Sequence, residues 1–219
     1  MERRAALLLF VGLSAAGIGP AFAYDDGDWR VWQNNTLEAR IADGWKVKIA
    51  EEFRIGDDAS ELYEQFTEIG VTHALTPCLR LGIDYRHDYR LSENIWGLEK
   101  RPQLNATLVH TWCGFGVSDR SRLERRMFAT KDDEWRYRNK LTVTLPGALT
   151  GSRVQVYVAG EAFVDFDPND LSRYRLYLGV KGRVFGPFSL DLKYFRQSTE
   201  KGDDWLGTNV MYVGVKGGF

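Results

Sequence analysis

The stretch Leu79 to Leu91 reads L-R-L-G-I-D-Y-R-H-D-Y-R-L. Leu79, Leu81, Ile83, Tyr85, His87, Tyr89 and Leu91 share one parity, and Arg80, Gly82, Asp84, Arg86, Asp88 and Arg90 share the other. Successive side chains of an extended strand point to opposite faces, so this segment has one apolar face and one charged face. A helix would scatter the same arginines and aromatics around its whole surface, which makes the strand the stronger reading. The open question is the solvent at each face. In a half-buried soluble strand the apolar face packs on a core; in a membrane barrel it meets lipid and the charged face lines the lumen.

The chain begins with Arg3 and Arg4, runs through an apolar stretch from Ala5 to Ile18 and reaches Ala21-Phe22-Ala23. A basic head, an apolar middle and a small-x-small site read as a secretory signal peptide cut after Ala23. The apolar run is shorter than the ~20 residues of a spanning helix. Removing residues 1–23 leaves 27 basic and 29 acidic side chains from the original 29 and 30. No basic field is left to favour nucleic acid, and no nucleic-acid partner is expected. Residues 24–219 carry no linker or low-complexity tract and read as one domain. No other apolar run could span a bilayer as a helix, so an exported chain that enters the membrane must close into a barrel, leaving no sheet edge in hydrocarbon.

Strands are expected at about 28–41, 45–56, 61–75, 78–91, 97–112, 115–128, 134–145, 153–166, 171–183, 187–198 and 204–219. Many exceed the ~5 to 6 residues usual in globular sheets and reach the ~9 to 11 of a tilted membrane strand. Tight turns are expected at Ala42-Asp43-Gly44, Thr76-Pro77 and Cys113-Gly114. Longer polar loops are expected at Asp57 to Glu61, Ser92 to Gly97, Ala129 to Asp133, Asp167 to Asp170 and Thr199 to Asp203, with Pro146 to Ser152 a departure from this asymmetry. Bacterial barrels normally have an even strand number, so residues 24–41 are suspected of being two short strands or of lying outside the barrel. The fold expected is all-β: a single antiparallel up-and-down transmembrane β-barrel of ten to twelve strands.

The alternation recurs. Trp45, Val47, Ile49, Phe53 and Ile55 face Lys46, Lys48, Glu52 and Arg54 across one strand, with Glu51 an exception on the outer face. Trp135, Tyr137, Leu141, Val143 and Leu145 oppose Arg136, Arg138, Lys140, Thr142 and Thr144 in another, where Asn139 also faces outward. Trp29, Trp45, Tyr63, Tyr89, Trp112, Trp135, Tyr174 and Trp205 cluster near strand ends, as aromatic girdles do. Met211, Val213, Val215, Gly217 and the terminal Phe219 lie on one face, a pattern resembling the signal read by the barrel-assembly machinery.

Cys78 and Cys113 are the only cysteines, in a compartment where disulfides persist. If residue numbers facing each other across their hairpin sum to 191, the two oppose each other on the inner face and a disulfide is expected. A register summing to 189 instead pairs Arg90 with Glu99 and Asp88 with Arg101.

The inner faces collect Arg80, Asp84, Arg86, Asp88, Arg90, Glu99, Arg101, Arg120, Arg122, Glu124, Arg126, Arg136, Arg138, Lys140, Glu161, Asp165, Arg173, Arg175 and Asp191. The sixth and seventh strands are mostly positive, and Glu52, Glu64 and Glu68 make the second and third mostly negative. One reading is a packed ionic core, since buried charges need partners. The other is a small pore with a cationic wall that favours anions. No catalytic group, metal or cofactor is expected: His87 and Ser121 have outward parity on strands that are not neighbours, His73 and His110 sit near strand ends, and Asp132, Asp133 and Glu134 read as a solvated loop.

Trp29-x-x-Trp32, Glu51-Glu52-Phe53-Arg54, Ser121-Arg122-Leu123-Glu124-Arg125-Arg126 and Asp132-Asp133-x-Trp135-Arg136-Tyr137-Arg138-Asn139-Lys140-Leu141 together resemble a bacterial family catalogued as domain of unknown function 2490. The resemblance implies an outer-membrane-type barrel and supplies no activity or ligand. The expectation is an outer-membrane barrel of a Gram-negative bacterium, in contact with outer-membrane lipid, structural or porin-like, passing or binding small anionic solutes. Two alternatives stand beside it. A lipid-modifying hydrolase would need a surface Ser/His pair, and a soluble periplasmic lipocalin-like barrel would need an apolar interior and a polar exterior.

Overall fold

The structure, a computed structural model, describes residues 26–92, 94–150, 154–167 and 169–219; the leader and its cleavage site lie outside the described residues. Eleven strands run as β1 (Trp29–Ala42), β2 (Trp45–Gly56), β3 (Glu61–Ala74), β4 (Leu79–Ser92), β5 (Ile95–Trp112), β6 (Phe115–Phe128), β7 (Glu134–Thr144), β8 (Val154–Phe166), β9 (Asn169–Phe185), β10 (Phe188–Lys201) and β11 (Asp204–Gly218), with one short helix, α1 (Gly147–Thr150), between β7 and β8. Each strand pairs antiparallel with its sequence neighbours, and the sheet closes by pairing β1 with β11.

That closing pair is parallel, in register from Trp29 opposite Asn209 to Glu38 opposite Gly218. An up-and-down sheet with an odd number of strands brings its first and last strands together pointing the same way, so a parallel seam is the geometric consequence. The even-number expectation is therefore corrected, as is the suspicion that residues 24–41 are two short strands or lie outside the barrel: Trp29–Ala42 is one 14-residue strand within the wall. Both ends of the seam are tied. Gly27 N–H donates to Gly207 O and Asn209 N–H to Asp28 O where the chain enters, while Phe219 N–H donates to Glu38 O and accepts at its own carbonyl from Arg40 N–H where it ends. We call these ends the N-terminal and C-terminal rims.

The expected asymmetry of short turns and long loops is not what the chain forms. The links that follow β2, β4, β6, β8 and β10 close the N-terminal rim, and those that follow β1, β3, β5, β7 and β9 the C-terminal rim. The longest, between β7 and β8, is the departure expected at Pro146 to Ser152. Pairing continues into residues expected to be loop: at 202–203 the positive-φ Gly202 (φ 65) lets the chain reverse in a two-residue step.

The register between β4 and β5 also differs from both alternatives. Leu79 faces Leu108 and Ser92 faces Ile95, a sum of 187. Cys78 O thus accepts from Val109 N–H, and Cys113 lies four residues farther on, at positive φ in the turn before β6. Both cysteines are free and exposed. The disulfide expectation is corrected: it required a register that the pairing of Ser92 with Ile95 and Leu79 with Leu108 excludes.

Side chains partition sharply between the two surfaces. Ile83, Leu104, Leu108, Leu176, Leu178 and Val184 are each more than half exposed on the outside, whereas Asp88 and Glu124 have no exposure at all inside. A lipocalin-type barrel needs the opposite partition. The aromatics named for the girdles are exposed, with one correction: Tyr63 is buried. The register between β2 and β3 shifts by one residue at Arg54/Ile55, which turns Tyr63 and Glu64 both inward.

Candidate functional site

A barrel of eleven strands encloses more space than small side chains can fill, and interior residues alternate with exterior ones along every strand. Asp84, Arg86, Asp88, Glu99, Arg101, Arg122, Glu124, Arg126, Arg136, Arg138, Glu161 and Arg175 are buried in this lumen. Arg90, Arg120, Lys140, Asp165, Arg173 and Asp191 are half-buried on the same wall, and Arg80 is exposed at the C-terminal rim.

The buried charges form a chain of ion pairs from strand to strand. Lys48 on β2 donates to Glu68 on β3 (2.8 Å) and Asp84 on β4 (3.0 Å), and Asp84 also meets Arg122 on β6 (3.4 Å). Glu124 lies 2.7 Å from Arg138 on β7, whose other arm reaches Glu161 on β8 at 2.8 Å. Glu161 in turn accepts from Arg120 (3.2 Å) and faces Arg175 on β9 (3.5 Å). Nearer the N-terminal rim Arg101 bridges Asp88 and Glu99, Arg126 bridges Glu99 and Glu134, and Arg54 bridges Glu52 and Glu64. Arg136 pairs with Asp165. Arginine suits this lattice because one planar fork can satisfy two carboxylates at once.

Inward aromatic and basic side chains missing from the sequence reading complete the interior. Trp32 Nε1 donates to Tyr63 Oη at 3.0 Å, its ring lies edge-on to Phe195 with centroids 5.0 Å apart, and Tyr177 packs on Phe195 at 4.7 Å. The Arg54 guanidinium sits 3.7 Å above the Trp32 ring and that of Arg175 at 4.9 Å. Trp32, Phe163, Tyr177, Lys193 and Phe195 all occupy inward parity, so the signal was present in the alternation itself.

Two cavities lie in the lumen. A vestibule of about 300 Å³ toward the C-terminal rim and one of about 400 Å³ toward the N-terminal rim are both lined by Trp32, Arg54 and Arg175, and we call these three residues the septum. The C-terminal vestibule is lined by ten bases (Lys48, Arg54, Arg86, Arg120, Arg122, Arg138, Lys140, Arg175, Lys193 and Lys216) against four acids (Glu38, Glu52, Glu68 and Glu161). Arg30, Arg54, Arg90, Arg173, Arg175 and Lys201 line the other, against Glu64 and Glu200. Both cavities are cationic although the chain is near neutral. Carboxylates are short and stay at the wall, while arginine and lysine stems carry their charge into the open space.

Residues 29–207 match the model of a family described as protein of unknown function (DUF2490). The chain belongs to the DUF2490 family. No curated protein matches it. The motifs that resembled DUF2490 lie on the charged lattice and its borders: Trp32 and Arg54 belong to the septum, Arg122, Glu124 and Arg126 line the inner wall of β6, and Arg136, Arg138 and Lys140 that of β7. On the outside of this DUF2490 barrel, Ser121 Oγ hydrogen-bonds Tyr137 Oη at 2.8 Å and accepts from Asn139, which also donates to Asp119 at 2.6 Å. The partner of His87 is Tyr89 (3.1 Å), and His73 stacks on Trp45 at 4.3 Å. In the 129–133 connection and just beyond it, Asp133 pairs with Arg125 and Glu134 with Arg126 and Lys131.

Proposed function

We propose that this protein is an outer-membrane β-barrel with a closed, ionically packed lumen that binds a small anionic solute in a cationic vestibule instead of passing it. The observation that carries this reading is the septum of Trp32, Arg54 and Arg175, which separates two cavities that an open channel would join. All three residues are less than a tenth exposed. Arg54 is fixed by Glu52 and Glu64 and Arg175 by Gln197 at 2.8 Å, so a solute would have to break buried ion pairs and hydrogen bonds to cross. Each such break leaves a charge uncompensated at a cost of several kcal/mol.

The outer wall supports the membrane setting. Its apolar belt would be an aggregation surface in water, whereas strands of 11 to 18 residues exceed the need of a ~25 Å hydrocarbon layer crossed at a tilt. The terminal Phe219, paired by its backbone to β1, is then the end recognised by the barrel-assembly machinery.

Planar-bilayer recording tests the reading. The purified barrel is expected to give no steady current, and Trp32→Ala/Arg175→Ala, which removes the septum, is expected to introduce one. Steady anion-selective current from the unaltered protein would replace the closed lumen with a pore. Recovery of the protein in the soluble fraction without detergent would sink the membrane setting.

A further inference from the structure

Buried polar groups in folded proteins nearly always find a partner, so a group of unsatisfied ones around a single cavity asks for an explanation. Arg90 Nε, Arg173 Nε and Thr208 Oγ1 are buried without a hydrogen-bond partner, and all three residues line the N-terminal vestibule. They come from β4, β9 and β11, so the closed barrel brings together what the sequence separates.

Arg173 is the sharpest case. Among the described residues it makes neither a hydrogen bond nor an ion pair, and its aromatic neighbour Phe163 lies under its guanidinium at 5.4 Å. The charges that act on it most strongly are Arg136, Arg175, Arg90 and Arg126, all of its own sign. Arg90 spends one donor on Glu64 at 2.9 Å, and its side chain is 36 % exposed to the cavity. The lumen arginines described above each reach a carboxylate, even where several share one as at Glu161; Glu64 is already taken by Arg54 and Arg90, and Arg173 reaches none beside about 400 Å³ of space. A lattice built only for stability would carry a carboxylate opposite Arg173, because a half-buried guanidinium without a partner is destabilising. Placing an anion there supplies the missing charge and the missing acceptors.

We propose that the N-terminal vestibule is a binding site for a small organic anion bearing a phosphate or carboxylate group, held by the guanidiniums of Arg173 and Arg90 with the Thr208 hydroxyl beside them. Arginine's fork matches the paired oxygens of either group. The rest of the cavity, lined by Trp32, Tyr63, Leu91 and Leu206, takes the less polar remainder of such a molecule. The site rests on the anion-binding part of the function proposed above and names where it occurs. It does not depend on the lumen being closed.

Calorimetric titration of the full chain, folded in detergent, tests it with phenyl phosphate, benzoate and inorganic phosphate as probes. Phenyl phosphate or benzoate is expected to bind at one site and more tightly than inorganic phosphate. Arg173→Gln should weaken binding at least tenfold while leaving the thermal unfolding of the free barrel unchanged or raised, since no ion pair is lost. Lys140→Gln, in the other vestibule, should leave binding as it was. Unaltered affinity in Arg173→Gln, or equal loss in Lys140→Gln, overturns the site. A barrel that conducts in bilayers yet loses probe binding in Arg173→Gln refutes the closed lumen and keeps the site.

Discussion

Glu124 and Glu38 are both inward carboxylates with basic partners, and they differ in what surrounds them. Glu124 is fully buried, 2.7 Å from Arg138 and 3.7 Å from Arg122. Glu38 lies at the rim against Lys216 at 2.7 Å and Lys46 at 3.9 Å, where all three side chains keep contact with solvent. Removing one member of a buried pair strands the other, so Glu124→Ala is expected to cost about 3 to 5 kcal/mol. Glu38→Ala is expected to cost less than about 1 kcal/mol, the range of exposed pairs. Denaturant unfolding of the refolded barrel measures both, and similar losses would show that the interior is wetter than the lattice implies. Alternation alone assigns Glu124 to the lumen. Its partner is not readable in the same way, because Glu124 stands directly opposite Arg136 yet pairs with the diagonal Arg138. Long side chains choose partners across two residues, and that choice depends on how neighbouring strands fill the lumen.

At the scale of a strand, small residues decide where large ones lie. Gly179 on β9 faces inward beside Tyr157 on β8, and a Cβ there would stand 2.3 Å from the Tyr157 ring. The ring needs that gap to bring its hydroxyl to Asp191, to which it donates at 2.7 Å. Gly179→Ala is expected to destabilise the barrel by about 1 to 3 kcal/mol through overpacking. Adding Tyr157→Ala should relieve most of the clash, so the double variant loses less than the two single losses combined. Additive losses in a double-mutant cycle would argue that the glycine matters for its backbone instead. Strand positions were legible because period-two alternation is strong over more than ten residues. Register between strands was less so: a hairpin's pairing sum is set by the number of residues its turn consumes, and residues 92–97 allow several. The same limit explains Tyr63, whose inward position depends on a one-residue shift that alternation cannot reveal.

For the whole molecule, eleven strands were countable in the sequence, and the usual even number argued against the count. What decides is where the chain enters. Asp26 accepts from Gly207 N–H, and Asp28 holds both Arg30 and the backbone of Asp58, so the first strand starts at the N-terminal rim and descends beside the last. The parallel seam is thus specified by the residues just before β1, a segment with no alternation to read. In this register Asn35 lies opposite Val215, both on the outer face. In a Cys78→Ser/Cys113→Ser background, Asn35→Cys/Val215→Cys is expected to join through a short bismaleimide, seen by mass spectrometry as a linked pair of peptides from opposite ends of the chain. Moving one site by four residues, to Asn35→Cys/Met211→Cys, separates the thiols by about 13 Å along the strand and should reduce the yield sharply. An even-stranded barrel, with β1 withdrawn or reversed, would invert or erase that preference. The seam also bears on the lumen, because β1 contributes Trp32 and β11 the wholly buried Val210 against which the septum packs. If β1 left the wall, the two vestibules would merge, so the cross-linked and uncross-linked barrels should be equally non-conducting only if the seam stays closed without the link.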